Sequence, residues 1–229
     1  MRKSRTVVVV GASRGLGLAL AEEYCARNWH VIATSRGRSA GLDQLRERYP
    51  TSLEIETVDI ADGASIRALA RRLETVSLDA LFVNAGICKA NTLTPLEVDD
   101  KDFLDMMSTN ALGPMRIVEA LYDRVPERGV IAVMSSELGS IAHCTGFWEL
   151  YSSSKAALNM LMKAFSARHA DASRSLLLIA PGWVRTEMGG EDAALETGES
   201  IPLVVDVVEQ SAGVPGLRFV NRHGEILPW

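Results

Sequence analysis

The sequence predicts an α/β fold, a single domain of the Rossmann type over residues 1–229, with a doubly wound parallel sheet. Short apolar runs alternate with longer helical patterns along the whole chain. The first run, Thr6–Val10, is β-branched and unbroken, which is typical of a strand buried on both faces of a parallel sheet. Repeated β-α units connect through right-handed crossovers, so helices are expected on both faces of that sheet.

The amino-terminal half is predicted to contain four strands and three helices. Leu16, Leu20 and Tyr24 recur at helical spacing after the first strand. Asp62 stands where the N-cap of the third helix is expected. In chain order the predicted elements are strand 6–10, helix 16–28, strand 30–34, helix 41–48, strand 53–58, helix 64–76 and strand 78–83.

The carboxyl-terminal half continues the alternation. Its predicted elements are a long amphipathic helix within 102–125, strand 129–134, helix 152–170, strand 175–179, a short helix over 202–210 and an edge strand within 217–229 that contains a turn at 221–224. Residues 187–200, which we name the lid, show no clear period and follow the sixth strand. Three glycines in the lid permit hinge motion, so we expect it to be mobile.

Composition narrows the class of partner. The formal net charge is -5 and no run of Lys or Arg forms a stripe, so neither nucleic acid nor an anionic membrane is an expected partner. The basic start and apolar run of residues 1–10 pass directly into a glycine turn, which indicates a first strand rather than a signal peptide. The cysteines and histidines are scattered without a CxxC pair. We expect a cytoplasmic protein without a metal site.

The first β-α turn reads Gly11-Ala12-Ser13-Arg14-Gly15-Leu16-Gly17. Glycines let the backbone approach a pyrophosphate, and the following helix N-terminus offers unpaired N–H groups. The GxxxGxG spacing differs from the GxGxxG of larger Rossmann dehydrogenases. A glycine-rich turn without a ligand remains an alternative from this motif alone.

Two arginines refine the expected ligand. Arg14 lies within the glycine turn, and Arg36 follows the second strand, where an NAD site usually places an acidic residue. Arginine at this position accommodates a 2′-phosphate, so NADP(H) is the predicted cofactor. Ordinary surface arginines are the alternative, and Arg38 is close enough to share the contact.

A candidate acid–base pair lies in the stretch Tyr151-Ser152-Ser153-Ser154-Lys155. Residues four apart share one face of a helix, so the phenol and the ammonium are expected to point the same way. A nearby cation stabilises phenolate and should lower the tyrosine pKa from its ordinary value of ~10. Such a tyrosine exchanges a proton with a carbonyl or alcohol oxygen. The pair alone also occurs by chance on many helices.

Together these motifs resemble the short-chain dehydrogenase/reductase family over nearly the whole chain. Further matching positions follow in order along the sequence: Asp59-Ile60, Asn84-Ala85-Gly86, Asn110, Ser136, Pro181-Gly182 and Thr186. Val10 and Val83 replace polar residues that many members carry, and neither change removes a catalytic group. Residues 134–141, residues 155–159 and the ending Leu227-Pro228-Trp229 are similar to the small carbonyl-reductase branch that includes sniffer and C-factor.

The resemblance implies roles for individual residues. Ser136 would hydrogen-bond the substrate carbonyl, Tyr151 would supply its proton, and Lys155 would hold the nicotinamide ribose. Asn110 would anchor a water that connects Lys155 to solvent. The implied NADP(H) contacts are Gly11, Ser13, Arg14, Gly15, Leu16, Gly17, Ser35, Arg36, Asp59, Ile60, Asn84, Ala85, Gly86, Tyr151, Lys155, Pro181, Gly182, Val184 and Thr186.

The substrate pocket is expected just before the catalytic tyrosine. Ser136 and Tyr151 lie 15 residues apart, a longer separation than is usual in the family. The additional length falls within residues 140–150. Candidate pocket residues there and after the sixth strand are His143, Phe147, Trp148 and Trp183. Packing of the aromatic side chains against the lid or a neighbouring subunit is an equal alternative.

The sequence therefore predicts an NADP(H)-dependent oxidoreductase that interconverts a small carbonyl compound and its alcohol. A 3-oxoacyl-[acyl-carrier-protein] reductase is the alternative within the family, but the acidic lid disfavours an acidic carrier. A nucleotide-binding signalling pseudoenzyme is disfavoured, because it would have no need to keep the four catalytic residues. A methyltransferase is disfavoured because it has no use for the tyrosine–lysine pair. The resemblance implies a homodimer or homotetramer paired through the two long helices.

Overall fold

The computed structural model describes residues 4–170 and 173–229; residues 1–3, the basic start noted above, and 171–172 lie outside the described part. Seven strands form one sheet: β1 Thr6–Val10, β2 His30–Ser35, β3 Leu53–Thr57, β4 Ala80–Val83, β5 Val130–Met134, β6 Ser175–Ala180 and β7 Gly216–Asn221. Their spatial order is β3-β2-β1-β4-β5-β6-β7, and every neighbouring pair is parallel. The predicted single-domain, doubly wound parallel fold is confirmed.

The helices connect these strands on both sides of the sheet. They are α1 Gly15–Ala26, α2 Ala40–Arg48, α3 Gly63–Arg72, α4 Asp100–Met107, α5 Gly113–Leu121, α6 Glu149–Arg168 and α7 Thr197–Gln210. Asp62 caps α3 as predicted, since its carboxylate accepts hydrogen bonds from the backbone N–H groups of Ala64 and Ser65.

Alternation along the strands divides the core into two layers. Val8 and Val10 of β1 belong to one buried cluster with side chains of α5 and α6, whereas Val7 and Val9 face the layer built with α1 and α7. Because all of β1 is buried, neither face of the sheet meets water at its centre. The sheet is thus a rigid base for the loops at its carboxyl edge.

Several helices differ from their predicted bounds, and three of the differences concern the predicted site or the lid. The long helix expected within 102–125 is interrupted between α4 and α5 by a π-helical turn, Ser108–Leu112. Helix α6 begins at Glu149, three residues before its predicted start at 152, which places Tyr151 in its first turn. Helix α7 begins at Thr197, so the end of the lid is helical.

The strand order reverses at β1, whose neighbours are β2 and β4. In open α/β sheets, ligands bind beyond the carboxyl ends of the strands at such a switch point. The glycine turn that follows β1 lies at this position. Within the described residues, no helix is long and apolar enough to cross a membrane.

Candidate active site

The glycine turn is tied to the strands on both sides of β1. From β2, Thr34 accepts two hydrogen bonds: one at Oγ1 from Gly11 N at 3.1 Å and one at its carbonyl from Ala12 N at 2.7 Å. From the end of β4, Asn84 Nδ2 donates to Gly11 O at 2.9 Å. Asn84 therefore fixes the turn, a role that was not predicted for it.

Two glycines of this turn have no room for a side chain. A Cβ on Gly11, whose φ is +84°, would lie 2.6 Å from Ala85 Cβ. A Cβ on Gly17 would lie 2.0 Å from Gly11 O. Among the described residues, no side chain caps the N-terminus of α1. The close backbone and the uncapped N–H groups fit a pyrophosphate, as the motif predicts.

Several arginines lie beside the turn and the end of β2. Arg14 Nη1 is 2.5 Å from Glu187 Oε2 of the lid. Arg38 and Arg46 both pair with Asp43, at 3.1 and 3.3 Å, along a groove that Ser35 also lines. Arg36 is exposed and forms no ion pair with the described residues. The cationic end of β2 fits a 2′-phosphate.

The adenine-side residues predicted after β3 are part of the turn into α3. Asp59 Oδ1 accepts a hydrogen bond from Ala61 N at 2.9 Å, and Ile60 is buried in the core. The carboxylate of Asp59 remains half-exposed at the carboxyl edge of the sheet. The structure thus places both residues near the predicted cleft, with the Ile60 side chain turned inward.

Tyr151 and Lys155 are both buried on α6, one turn apart. Lys155 Nζ donates to the carbonyl of Met134 at the end of β5, at 2.9 Å, and lies 5.7 Å from the centre of the tyrosine ring. Burial lowers the pKa of Lys155 to about 8, while the nearby Cys88 opposes this shift. Burial, with a smaller contribution from Cys88, raises the pKa of Tyr151 above its ordinary value. The predicted lowering of the tyrosine pKa is therefore wrong for this structure, because burial disfavours the charged phenolate.

Cys88 is a site residue that the sequence reasoning did not assign. Its thiol is half-buried and lies near Tyr151 and Lys155, whose pKa values a thiolate at this position would raise. Burial raises the pKa of the thiol to about 11, so the group is neutral near pH 7. Its position two residues after Gly86 was the available sequence signal.

Asn110 lies in the π-helical turn and is completely buried. Its Oδ1 accepts from Ile87 N at 2.8 Å, and its Nδ2 donates to Ile87 O at 2.8 Å and to Ser154 Oγ at 2.9 Å. A Cβ on Gly86 would lie 3.3 Å from Asn110 Oδ1 and 3.6 Å from Lys155 Nζ. The amide therefore joins the segment after β4 to α6, a positioning role beyond the predicted water relay.

Ser136 follows β5, half-buried, and its Oγ accepts from Leu138 N at 3.2 Å. Next to it, Ser135 Oγ donates to Asn159 Oδ1 at 2.7 Å. Asn159 Nδ2 donates in turn to Gly139 O at 3.1 Å. Asn159 thus holds both ends of the turn that carries Ser136. It lies four residues after Lys155, a spacing that signalled a shared helix face.

Three aromatic side chains form a wall beside the catalytic tyrosine. Trp148 meets Tyr151 edge to face with ring centres 6.0 Å apart, and Phe147 stacks on Trp148 at 5.0 Å. Trp183, after β6, meets Phe147 edge to face at 6.5 Å. Phe147 and Trp183 are each about half exposed. His143 is exposed, and its backbone N–H donates to Ser140 Oγ. The predicted pocket residues other than His143 therefore lie together.

The lid has a defined path over the glycine turn. Val184 and Leu195 form a parallel β-bridge, and Trp183 Nε1 donates to Gly189 O at 2.8 Å. A Cβ on Gly15 would lie 3.4 Å from Thr186 Cγ2, so the residues leading into the lid touch the turn. Pro181 O accepts from Ser200 Oγ at 2.7 Å. Residues 187–194 of the lid thus have no regular secondary structure, as the sequence indicates, whereas Leu195 lies in the bridge and α7 begins at Thr197. The mobility of the lid stays a prediction.

Three of the lid carboxylates form ion pairs or hydrogen bonds that the sequence did not predict. Glu187 pairs with Arg14, and Glu196 pairs with Arg185 at 2.7 Å. Glu199 Oε2 accepts from Glu196 N at 2.7 Å in a capping box at the start of α7. Glu191 and Asp192 remain exposed.

Among the described residues, no group of three His, Cys, Asp or Glu side chains could hold a metal ion.

Comparisons with known proteins agree with this geometry. Residues 5–196 match the family model described as short chain dehydrogenase. The C-signal protein of Myxococcus xanthus is 33% identical over 170 residues, which cover 72% of this chain and 100% of that protein.

Solved structures extend the likeness to the whole chain. A Burkholderia multivorans protein described as a short-chain dehydrogenase/reductase with bound NADP is 50% identical, with a TM-score of 0.97 over 99% of this chain and 100% of that one. A carbonyl reductase from Pseudomonas aeruginosa PAO1 in complex with NADP is 39% identical, with a TM-score of 0.92 over 99% of this chain and 100% of that one.

Proposed function

Because this chain belongs to the short-chain dehydrogenase/reductase family, we propose that it is an NADP(H)-dependent oxidoreductase that interconverts an aldehyde or ketone and its alcohol. The observation that carries the proposal is the placement of Tyr151 and Lys155. They are buried on one helix, where Tyr151 contacts the aromatic wall and Lys155 lies beside Gly86, in the segment after β4 that also contacts the glycine turn. A proton donor thus lies where a nucleotide and an apolar substrate would meet.

The arrangement supports NADP(H) as the cofactor. The uncapped N–H groups of α1 would hold the pyrophosphate, and Arg14 and Arg36 would neutralise the 2′-phosphate. Two of the proteins to which this chain is similar were crystallised with NADP, at 50% and 39% identity. When bound, the cofactor supplies or accepts the hydride.

Side chains of the protein supply the proton and stabilise the charge that its transfer leaves. Burial keeps the Tyr151 phenol protonated at neutral pH, so it can donate to a carbonyl oxygen during reduction. Ser136 Oγ already accepts a hydrogen bond from Leu138 N, which leaves its hydroxyl hydrogen free to donate to the same oxygen. Lys155 would provide positive charge as the phenol loses its proton.

The substrate side favours a neutral carbonyl compound. Phe147, Trp148 and Trp183 supply apolar contact area next to Tyr151. The exposed Glu191 and Asp192 add negative charge to the lid. This negative charge disfavours a substrate carried on an acidic carrier protein.

A signalling role without catalysis is the alternative, and the name of the Myxococcus relative raises it. A protein that only binds nucleotide has no use for a buried, hydrogen-bonded lysine beside a buried tyrosine, because burying either polar group costs stability. The retained pair therefore supports an enzyme.

We also propose that two or four copies assemble through the long helices. Leu104 of α4, Leu112 of the π-helical turn, and Met160 and Leu161 of α6 expose apolar side chains. Exposed apolar side chains grouped on neighbouring helices are typical of a subunit interface. Light scattering on the purified protein tests this, and a monomer at all concentrations would contradict it.

The oxidoreductase proposal is tested by following NADPH absorbance with a panel of aldehydes, aryl ketones and aliphatic ketones. We expect turnover with at least one neutral carbonyl and no turnover without one. Tight NADPH binding with no reduction across the panel, and no oxidation of the matching alcohols, would instead support the signalling alternative.

A further inference from the structure

The pocket loop, residues 140–148, carries part of the aromatic wall but has few contacts of its own. Its first and last residues are held by neighbouring secondary structure. Between them, residues 141–147 are exposed without interruption. Local hydrogen bonds join His143 N to Ser140 Oγ and Cys144 N to Ile141 O. Such short bonds shape a turn but do not fix its position on the protein.

One hydrogen bond links the middle of this loop to a distant part of the chain. Ala142 N donates to the backbone oxygen of Trp229 at 3.0 Å. Among residues 4–170 and 173–229, it is the backbone hydrogen bond that connects residues 141–146 to another element. Ser152 Oγ of α6 donates to Phe147 O at 2.9 Å and holds the end of the loop, so the position of residues 141–146 depends on where Trp229 is held.

Trp229 is 43% exposed and is held by contacts on the side that faces the protein. Its ring lies 5.6 Å from the ring of Phe219, a buried residue of β7, and Lys163 Nζ of α6 lies 5.4 Å above its centre. Just before it, Leu227 N donates to Phe219 O at 2.8 Å. Aromatic and cation–π contacts of this kind each contribute to holding the side chain.

The tail leading to Trp229 is a compact turn that returns along β7. Asn221 Oδ1 accepts from the backbone N–H groups of His223 and Glu225, and Asn221 Nδ2 donates to the Glu225 carboxylate. Val220 and Ile226 then pair in an antiparallel bridge. These contacts hold the tail against β7 and so limit the positions that Trp229 can take.

We propose that Trp229 is a positioning residue for the substrate pocket, acting through Ala142 on the pocket loop and so on Phe147 and Trp148. This inference rests on the proposed carbonyl reductase function. Trp229 touches neither the glycine turn nor Tyr151 in the contacts above. Its loss should therefore change the recognition of substrates that reach the aromatic wall, and leave cofactor binding and small substrates unaffected.

The test compares Trp229→Ala with Trp229→Phe, which keeps an aromatic ring over Lys163 and Phe219. Ile226→Ala is the matched control, because Ile226 belongs to the same tail and its side chain is 67% exposed.

The substrates are acetophenone, which has an aromatic ring that can contact the wall, and propanal, which has none. Trp229→Ala keeps the backbone acceptor but removes the ring contacts that hold it in place. We therefore expect its KM for acetophenone to rise about fivefold, the scale of weakening one hydrogen bond. Its kcat, its KM for propanal and its Kd for NADPH should stay near the values of the unmodified protein, and Trp229→Phe should restore KM for acetophenone.

Hydrogen exchange gives a second measurement that does not depend on activity. In Trp229→Ala, the amides of residues 141–146 should exchange about tenfold faster than in Ile226→Ala, because the tether no longer limits local opening. Exchange that is no faster than in the control, or equal losses on acetophenone and propanal, would overturn the proposal. If the unmodified protein reduced no carbonyl at all, the proposed function would fail, while the exchange rates would still decide whether Trp229 holds the loop.

Discussion

Arg14 of the glycine turn and Glu187 of the lid form an ion pair of 2.5 Å, although their side chains are 70% and 72% exposed. Exposed ion pairs contribute at most ~1 kcal/mol to stability. The importance of this pair lies in its position, since it joins the two segments between which we place the cofactor. A 2′-phosphate that binds Arg14 must compete with the carboxylate of Glu187.

The competition predicts the effect of neutralising the lid residue. Glu187→Gln should lower the Kd for NADPH about threefold, because a competing surface contact contributes at most ~1 kcal/mol. The Kd for NADH, which has no 2′-phosphate, should stay unchanged. Isothermal titration with both cofactors measures this, and Glu191→Gln is the control because it removes an exposed charge from the same segment. Weaker NADPH binding by Glu187→Gln would show that the pair helps to close the site instead.

Arg36 should decide the choice between NADPH and NADH. Arg36→Asp replaces a phosphate contact by a like charge, so NADPH binding should weaken by about 2 kcal/mol, roughly thirtyfold, while NADH binding changes little. The ratio of kcat/KM for the two cofactors measures the preference. Arg38→Asp tests the neighbouring cation, whose partner is Asp43. If the unmodified protein had equal Michaelis constants for NADPH and NADH, the assignment of the phosphate site would be wrong.

Tyr151→Phe should abolish catalysis and spare the nucleotide site. The substitution keeps the ring against Trp148 and removes the transferable proton, so kcat should fall by about 10²–10⁴, the usual contribution of a general acid. NADPH fluorescence should report an unchanged Kd. Lys155→Ala should reduce both kcat and NADPH affinity. Substantial activity in Tyr151→Phe would mean that another group supplies the proton.

The pH profile should follow Lys155 rather than Tyr151. Burial lowers the pKa of Lys155 to about 8, so the ammonium is present below that pH and lost above it. Burial raises the pKa of Tyr151, so the phenol keeps its proton over the same interval. We therefore expect kcat/KM for reduction to fall as pH rises through about 8, because the charge that stabilises the forming phenolate disappears.

Cys88→Ala is a useful control for that profile. The thiol has its pKa raised to about 11, so it is uncharged where Lys155 titrates and its removal should leave the fall in place. Rates of alcohol oxidation should rise with pH, since that direction needs the deprotonated phenol. A reduction rate that stayed constant between about pH 6 and 10 would show that Lys155 does not titrate in the working enzyme.

The parts of the molecule that local sequence controls were predictable. The cap at Asp62 needs only the backbone of the first turn that follows it. The unbroken valine run of β1 predicts that this strand is buried on both faces, and it is. The π-helical turn at Asn110 was not predictable, because it depends on hydrogen bonds to Ile87 and Ser154 from other parts of the chain.

The chemistry of the site likewise divides into features that the local sequence determines and features that depend on the folded chain. The residues of the tyrosine–lysine pair were evident from their spacing, but the direction of the Tyr151 pKa shift was not. That direction depends on burial, which is a property of the folded chain. Likewise, nothing near Ala142 in the sequence indicates Trp229 as its partner.

Charge on the lid should select against anionic substrates. Glu191 and Asp192 are the lid carboxylates to neutralise, because Glu187, Glu196 and Glu199 have partners that hold the lid and start α7. Their negative field should repel a substrate that carries a carboxylate, so a neutral ketone should show the higher kcat/KM of a matched pair. The difference should shrink at high ionic strength, since exposed charges are screened beyond ~10 Å at 0.1 M salt.

The double variant Glu191→Gln/Asp192→Asn should improve kcat/KM for the anionic ketone selectively and weaken its dependence on salt. The matched control is Asp123→Asn/Glu127→Gln, which removes two exposed charges next to the start of β5, at the opposite edge of the sheet. That control should leave the ratio of the two substrates unchanged, because its charges lie far from the carboxyl ends of the strands. Should the unmodified protein prefer the anionic ketone at low salt, the lid carboxylates do not act on the substrate. The acyl-carrier alternative would then gain support.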